Sequence, residues 1–245
     1  MNGFLRIDCN EVGFSPNNVD ALCSLGQSSK AGAGVATQFV GEKGIGFKSV
    51  FKVADQVWVS SRHYEFKFDK NAKLGMVAPI LESFPVIKRD GWTSFYLRLT
   101  PGTENVVVSE LQGSEDMKPQ ILLFLRNLRK VVLTVQCSAG SDVITTTWRR
   151  EDAEFAGQEV KDLHVDNNKL ASYLFMRHWA DGLPGDERRE GVTESEVILA
   201  FPLDNNNEPR LESQVICAYL PIRDYGFHVS DTQHHDCCID LTKGV

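Results

Sequence analysis

The chain has 245 residues, 42% hydrophobic and 24% charged, with a net charge of -7; this is an ordinary globular composition, long enough for one large core or two smaller ones. The acidic balance excludes a general nucleic-acid or membrane-surface binder, because phosphate backbones demand a basic face. Cysteines at 9, 23, 137, 217, 237 and 238 form no Cys-x-x-Cys pair and no disulfide framework; the longest apolar run is too short to span a membrane, and no signal-peptide core opens the chain. These features predict an intracellular protein, cytoplasmic or nuclear, in a reducing compartment.

In chain order, Phe4-Leu5-Arg6-Ile7-Asp8 alternates apolar and polar residues and reads as a strand with one buried face. After Asn10-Glu11-Val12-Gly13-Phe14, Ser15 is a good N-cap with Pro16 at the first helical position. Val19, Leu22 and Cys23 then give one face of a short helix ending near Gly26. Residues 27–38 carry Ser28-Ser29-Lys30 and Ala-Gly-Ala-Gly, which neither pack nor repeat at a helix or strand period. A mobile loop here, directly before a ligand cradle, is suited to closing over what the cradle binds.

The cradle is Gly41-Glu42-Lys43-Gly44-Ile45-Gly46-Phe47-Lys48-Ser49-Val50-Phe51. Three glycines let the backbone approach a ligand closely, and Phe47, Val50 and Phe51 start a helical face. Exposed N–H groups at a helix start, with Lys43 or Lys48 nearby, suit a polyphosphate. Spacing decides among the glycine-rich families. A P-loop needs Lys where Phe47 stands, and the dinucleotide and kinase loops need a third glycine where Ser49 stands.

Beyond the cradle, 57–61 and 64–68 read as a strand pair with a polar turn after it, 76–80 as a further short strand, and 93–99 as a cleanly alternating strand of the core sheet. Residues 118–132 have apolar positions at 121, 124, 125, 128, 131 and 132 with Arg126, Arg129 and Lys130 between them, predicting an amphipathic helix with a solvated basic stripe. Strands are expected over 131–137 and 143–148, and a helix over 170–179. A polar loop or linker follows over 181–195. A last strand pair is expected from 196–201 and 214–220, around a polar turn at 204–208.

Four blocks in order, Asn10-Glu11-Val12-Gly13-Phe14, Ala21-Leu22-Cys23, Ser28-Ser29-Lys30 and the 41–51 box, resemble the sacsin and NO VEIN branch of the GHKL ATPases. The resemblance covers residues 4–100 well and extends loosely to Phe227. It implies an α/β fold, a two-layer α/β sandwich of Bergerat type over residues 1–135, with a second, smaller αβ region over 136–245. It also implies a chaperone-like or scaffold-like protein that binds ATP or ADP with Mg2+ and acts on a protein client. Carried over by position, Asn10, Gly13 and Phe14 belong to the first glycine box. Ser28, Ser29 and Lys30 would lie in the lid, and Gly41, Lys43, Gly44, Ile45, Gly46 and Phe47 would line the cradle. Thr93 would stand behind the adenine.

The sequence departs from that pattern in three places. Aligned on Gly13, the aspartate that takes the adenine amino group falls at Cys9, whose thiol is a weak acceptor. Asp8 or Asn10 is the substitute, although residues one apart on a strand face opposite sides. The helix that holds water-activating and magnesium-binding groups in the family would precede the opening strand, so the domain is expected to lack its first helix. One face of the sheet would then be partly uncovered, and efficient hydrolysis is not expected. From about 230 the tail diverges; His234, His235, Asp236, Cys237 and Cys238 are metal-ligand types without a second ligand pair. The alternatives are a non-catalytic protein-interaction module that keeps the fold, and an inactive gene-product fragment.

Overall fold

The computed structural model describes residues 3–23, 46–113, 118–136, 140–181, 195–210, 216–218, 220–223, 228–230, 234–236 and 238–240. The fold is mixed α/β, built on antiparallel sheets, and the chain divides into two compact units, Met1–Ser109 and Glu110–Val245. Residues 110–135, expected with the first region, cluster with the second unit.

In the first unit β1 (Phe4–Cys9), β2 (Ala54–Ser61), β3 (Tyr64–Asp69), β4 (Ile80–Leu81) and β5 (Thr93–Leu99) form one sheet in the order β1-β5-β2-β3-β4. Alternation divides each strand between two faces. Val57, Val59, Phe66, Phe68 and Leu97 form a core with Phe51 of the 3-10 turn Phe47–Lys52, and Phe14, Val19, Leu22, Cys23 and Phe47 pack against it. On the other face, Phe4 stacks on Tyr96 with ring centroids 4.9 Å apart, and Trp58 and Phe84 meet the same ring edge-on. At the sheet edge, β1 contributes Leu5 to the helix side but leaves Ile7 45% exposed.

Helix α1 (Pro16–Cys23) starts as its sequence predicts. The Asn18 N–H meets Ser15 Oγ at 3.4 Å, and Asn18 Oδ1 accepts from the Ser15 N–H at 2.9 Å, a reciprocal cap. The segment after Gly46 is helical as expected, but as a 3-10 turn of six residues. Residues 76–80 give only the two-residue β4, since Leu74 to Ala78 close turns on themselves.

The second unit begins within α2 (Glu104–Gly113) and is organised by a meander. β6 (Lys130–Val135), β7 (Ile144–Phe155), β8 (Gln158–Val165), β9 (Asn168–Ala180) and β10 (Ser195–Leu203) each pair antiparallel with the next. β11 (Ile216–Ala218), β12 (Leu220–Arg223) and β15 (Cys238–Asp240) extend this sheet beyond β10, while β13 (His228–Ser230) and β14 (His234–Asp236) pair separately.

Two expected helices are corrected here. The helix over 118–132 shrinks to α3 (Ile121–Phe124), and β6 begins at Lys130. All four α3 residues are buried, so the turn is enclosed on every side and has no solvent stripe, while the β-branched pair Val131-Val132 favours a strand. The helix over 170–179 is β9: Ser172 and Tyr173, adjacent and therefore on opposite faces, are both buried in a strand covered on both sides. The expected last pair does not form either. β10 lies between β9 and β15, and β11 pairs with β12 and β15.

Candidate functional site

The site lies in the first unit, where the end of β1 runs into residues 10–14 beside β5 and the β2–β3 turn. Thr93 opens β5, and Ser61 closes β2; their side chains are 1% and 0% exposed. A row of hydrogen bonds crosses this corner. The Phe14 N–H donates to Ser61 Oγ at 2.8 Å, Ser61 Oγ meets Thr93 Oγ1 at 2.6 Å, and Thr93 Oγ1 donates to Glu11 Oε1 at 2.7 Å. A carboxylate only accepts, so Thr93 donates to Glu11, Ser61 donates to Thr93, and the Phe14 amide feeds Ser61. Every proton in the row has one direction. Glu11 is exposed, and its row ends at the surface.

Gly13 sits in this corner at φ +84°, in the left-handed region that favours glycine. A Cβ there would lie 2.6 Å from Arg62 Cγ and 2.9 Å from Arg62 Nε. Arg62 fills the space beside Gly13 and donates from Nε to the Val12 carbonyl at 2.7 Å. The glycine is required twice, by its backbone and by its neighbour.

Gly46 differs. Its backbone is ordinary right-handed helix at φ -57° and ψ -49°, and no atom of the described residues lies within 4 Å of a Cβ built on it. Among the described residues no packing asks for glycine here, and the first N–H groups of the 3-10 turn have no partner within the turn.

Of the residues singled out by sequence, Asn10, Gly13, Phe14 and Thr93 come together at the corner, with Asn10 exposed and Phe14 packed edge-on against Phe95 at 6.1 Å between centroids. Phe47 is turned into the core, against Phe51, Phe68 and Phe95. Ser28, Ser29, Lys30, Gly41, Lys43, Gly44 and Ile45 lie outside the described residues. Lys48 is withdrawn from the phosphate role. Its ammonium is bonded to the Leu22 and Met76 carbonyls and lies 4.7 Å from the Phe68 ring, and burial lowers its pKa.

Of the two substitutes offered for Cys9, Asp8 is corrected. Cys9 is exposed and faces Thr93 in register, but Asp8 points to the opposite face, where Ser94 Oγ donates to it at 2.6 Å and Arg6 Nε at 3.0 Å. The carboxylate that reaches Thr93 is Glu11. The sequence reading missed Glu11, Ser61 and Arg62 as site residues. The available signal was the strand pair 57–61 and 64–68: its tight turn has to bring positions 61 and 62 to one end of the sheet.

Among the described residues, no group of three or more His, Cys, Asp or Glu is placed to hold a metal ion, and no helix is long and apolar enough to cross a membrane. His234, His235 and Asp236 form β14 and Cys238 opens β15, while Cys237 lies outside the described residues.

Comparison with curated proteins finds Protein NO VEIN of Arabidopsis thaliana, 29% identical over 239 aligned residues, covering 89% of this chain and 8% of that protein. The chain therefore spans less than a tenth of the relative it matches. No family model matches the sequence.

Proposed function

We propose that the Met1–Ser109 unit is an ATP- or ADP-binding domain of a NO VEIN-like, chaperone-like or scaffold-like GHKL protein, with the two-layer Bergerat arrangement around its sheet. One observation carries the reading. Thr93, which the resemblance places behind a base, is hydrogen-bonded to Glu11 of the first glycine box, across 82 residues of chain. Glu11 Oε1 is engaged by Thr93, and its exposed carboxylate is the acceptor that a purine amino group needs, supplying the function lost at Cys9. Gly46 provides the second half: it starts a helical turn, and no described residue crowds the place where phosphates would sit. Mg2+ would accompany the polyphosphate, and no described residue is assigned to it. The proposal is one of binding and includes no hydrolytic step.

The test is a thermal melt with and without Mg2+-ADP on the wild-type chain and on Gly46→Val. A ligand at one hundred times its dissociation constant stabilises the native state by about 2.7 kcal/mol. The wild type is expected to show that gain. Gly46→Val is expected to melt unchanged without ligand, since a side chain there meets no atom of the described residues within 4 Å, and to lose the gain. A cooperative wild-type melt indifferent to Mg2+-ADP overturns the reading in favour of an interaction module.

A further inference from the structure

Arg62 occupies a two-residue turn, with Ser61 and Tyr64 paired on either side of it. Its φ is +53°, a conformation that costs a non-glycine side chain free energy and that Gly or Asn adopts more readily. The turn gains nothing from an arginine there. What the side chain does is local to the candidate site: Nε holds the Val12 carbonyl at 2.7 Å, and the stem lies where a Cβ on Gly13 would be. The clamp acts on the residues between Glu11 and Phe14. Both ends of that short turn are tied to the same hydrogen-bonded row, Phe14 through Ser61 and Glu11 through Thr93.

We infer that Arg62 is a positioning residue for nucleotide binding, which fixes the 11–14 turn, and hence the Glu11 carboxylate, in its receptive geometry at the expense of strain in the β2–β3 turn. Strained backbone persists where the surrounding structure over-determines it, and here the surroundings that use it are the site. The inference rests on the nucleotide-binding reading above. It requires Arg62 to matter more for binding than for folding.

Two variants separate those roles. Arg62→Gly relieves the backbone, and Arg62→Asn keeps a residue suited to positive φ; neither reaches the Val12 carbonyl. Each is measured in the full chain by thermal melting, by Mg2+-ADP titration calorimetry and by amide hydrogen exchange. The expected result is a melt as high as wild type or higher, faster exchange at the Phe14 amide, and ADP binding weakened roughly tenfold or more, the scale seen when a supporting partner of a binding residue is removed. Wild-type ADP affinity and wild-type Phe14 exchange in both variants overturn the positioning role and leave the nucleotide reading standing. A wild-type chain that binds no ADP overturns the reading and the inference together. A lowered melt in both variants, with ADP affinity retained, makes Arg62 a structural residue and also overturns the inference.

Discussion

The two units bury polar groups in opposite ways. In Met1–Ser109 the fully buried polar side chains are neutral hydroxyls, Ser60, Ser61, Thr93 and Ser94, and two of them hand their protons outward to an exposed carboxylate. In Glu110–Val245 the buried polar groups among the described residues are mostly charged, and Lys161 and Glu196 are paired with less buried partners. Lys161 contacts Asp152 and Glu159 at 2.7 and 2.6 Å, Arg177 bridges Glu159 and Glu196, and Arg126 meets Glu196 at 2.6 Å. The denser cluster of ionisable groups is thus the one whose charges mostly meet opposite charges. Charge density alone does not mark a site; an acceptor left facing solvent at the end of an ordered row is the better sign.

The largest effect expected from this contrast is at Arg150. It is 6% exposed, and its guanidinium donates to the carbonyls of Leu122, Leu125 and Arg126, the last two at 3.1 Å. Leu122 lies in α3, a helix too short to pair its own last carbonyls, and Leu125 and Arg126 follow it in the chain. Burial lowers the Arg150 pKa, and the carbonyls hold the charge in place. Arg150→Met keeps most of the packing and removes the buried donor to these carbonyls, of which Leu125 keeps the Leu128 N–H, so urea unfolding should show a loss of roughly 3 kcal/mol or more. An unchanged unfolding midpoint would remove the claim that this unit's charges are structural.

A smaller effect is expected from acid. Hydrogen bonds from Arg177, with help from Lys161, pull Glu159 down to about 2. Its folded pKa lies below the unfolded carboxylate value of about 4.3, so its stabilisation is present above that value. It is lost as the pH falls from about 5 towards 2. Glu159→Gln should flatten the slope of stability against pH in that window while leaving the slope above pH 6 alone. A series of chemical unfolding curves in buffers spanning the window reads this directly.

What the sequence disclosed follows the same division. β1, β3 and β5 are legible because apolar and polar residues alternate: Phe66, Phe68 and Leu97 are buried, and Lys67 and Arg98 are not, while β2, buried from Val57 to Ser61, is read from its β-branched and aromatic residues. In the second unit the period blurs. Ser172 and Tyr173 are buried side by side in β9, and Leu170, Tyr173 and Leu174 happen to fall at helical spacing; the Asp166-Asn167 turn that makes a hairpin of 158–180 was the discriminating signal. At the site, Gly13, Phe14 and Thr93 stand in recognisable patterns. Glu11, Ser61 and Arg62 owe their roles to pairing between strands, and such a contact has no local signature.

The last comparison sets two turns side by side. Ala156 at φ +51° and Gly157 at φ +78° join β7 to β8 in the second unit, with Phe155 and Gln158 paired at the turn's base. Positive φ at both central positions is the hairpin geometry that prefers Asn-Gly, and alanine at the first of them is strained without reaching anything. Ala156→Asn should therefore raise stability by about 0.5–1 kcal/mol, since asparagine bears the left-handed conformation at lower cost. ADP binding should not change. Arg62→Asn relieves the same kind of strain in the first unit, but removes a side chain that holds Val12 and fills the space beside Gly13. Melting and ADP titration of the two variants in parallel test whether strain in this molecule is incidental at residue 156 and functional at residue 62. Equal gains in stability with no difference in binding would make both turns incidental, and the strain at Arg62 would then need no function to explain it.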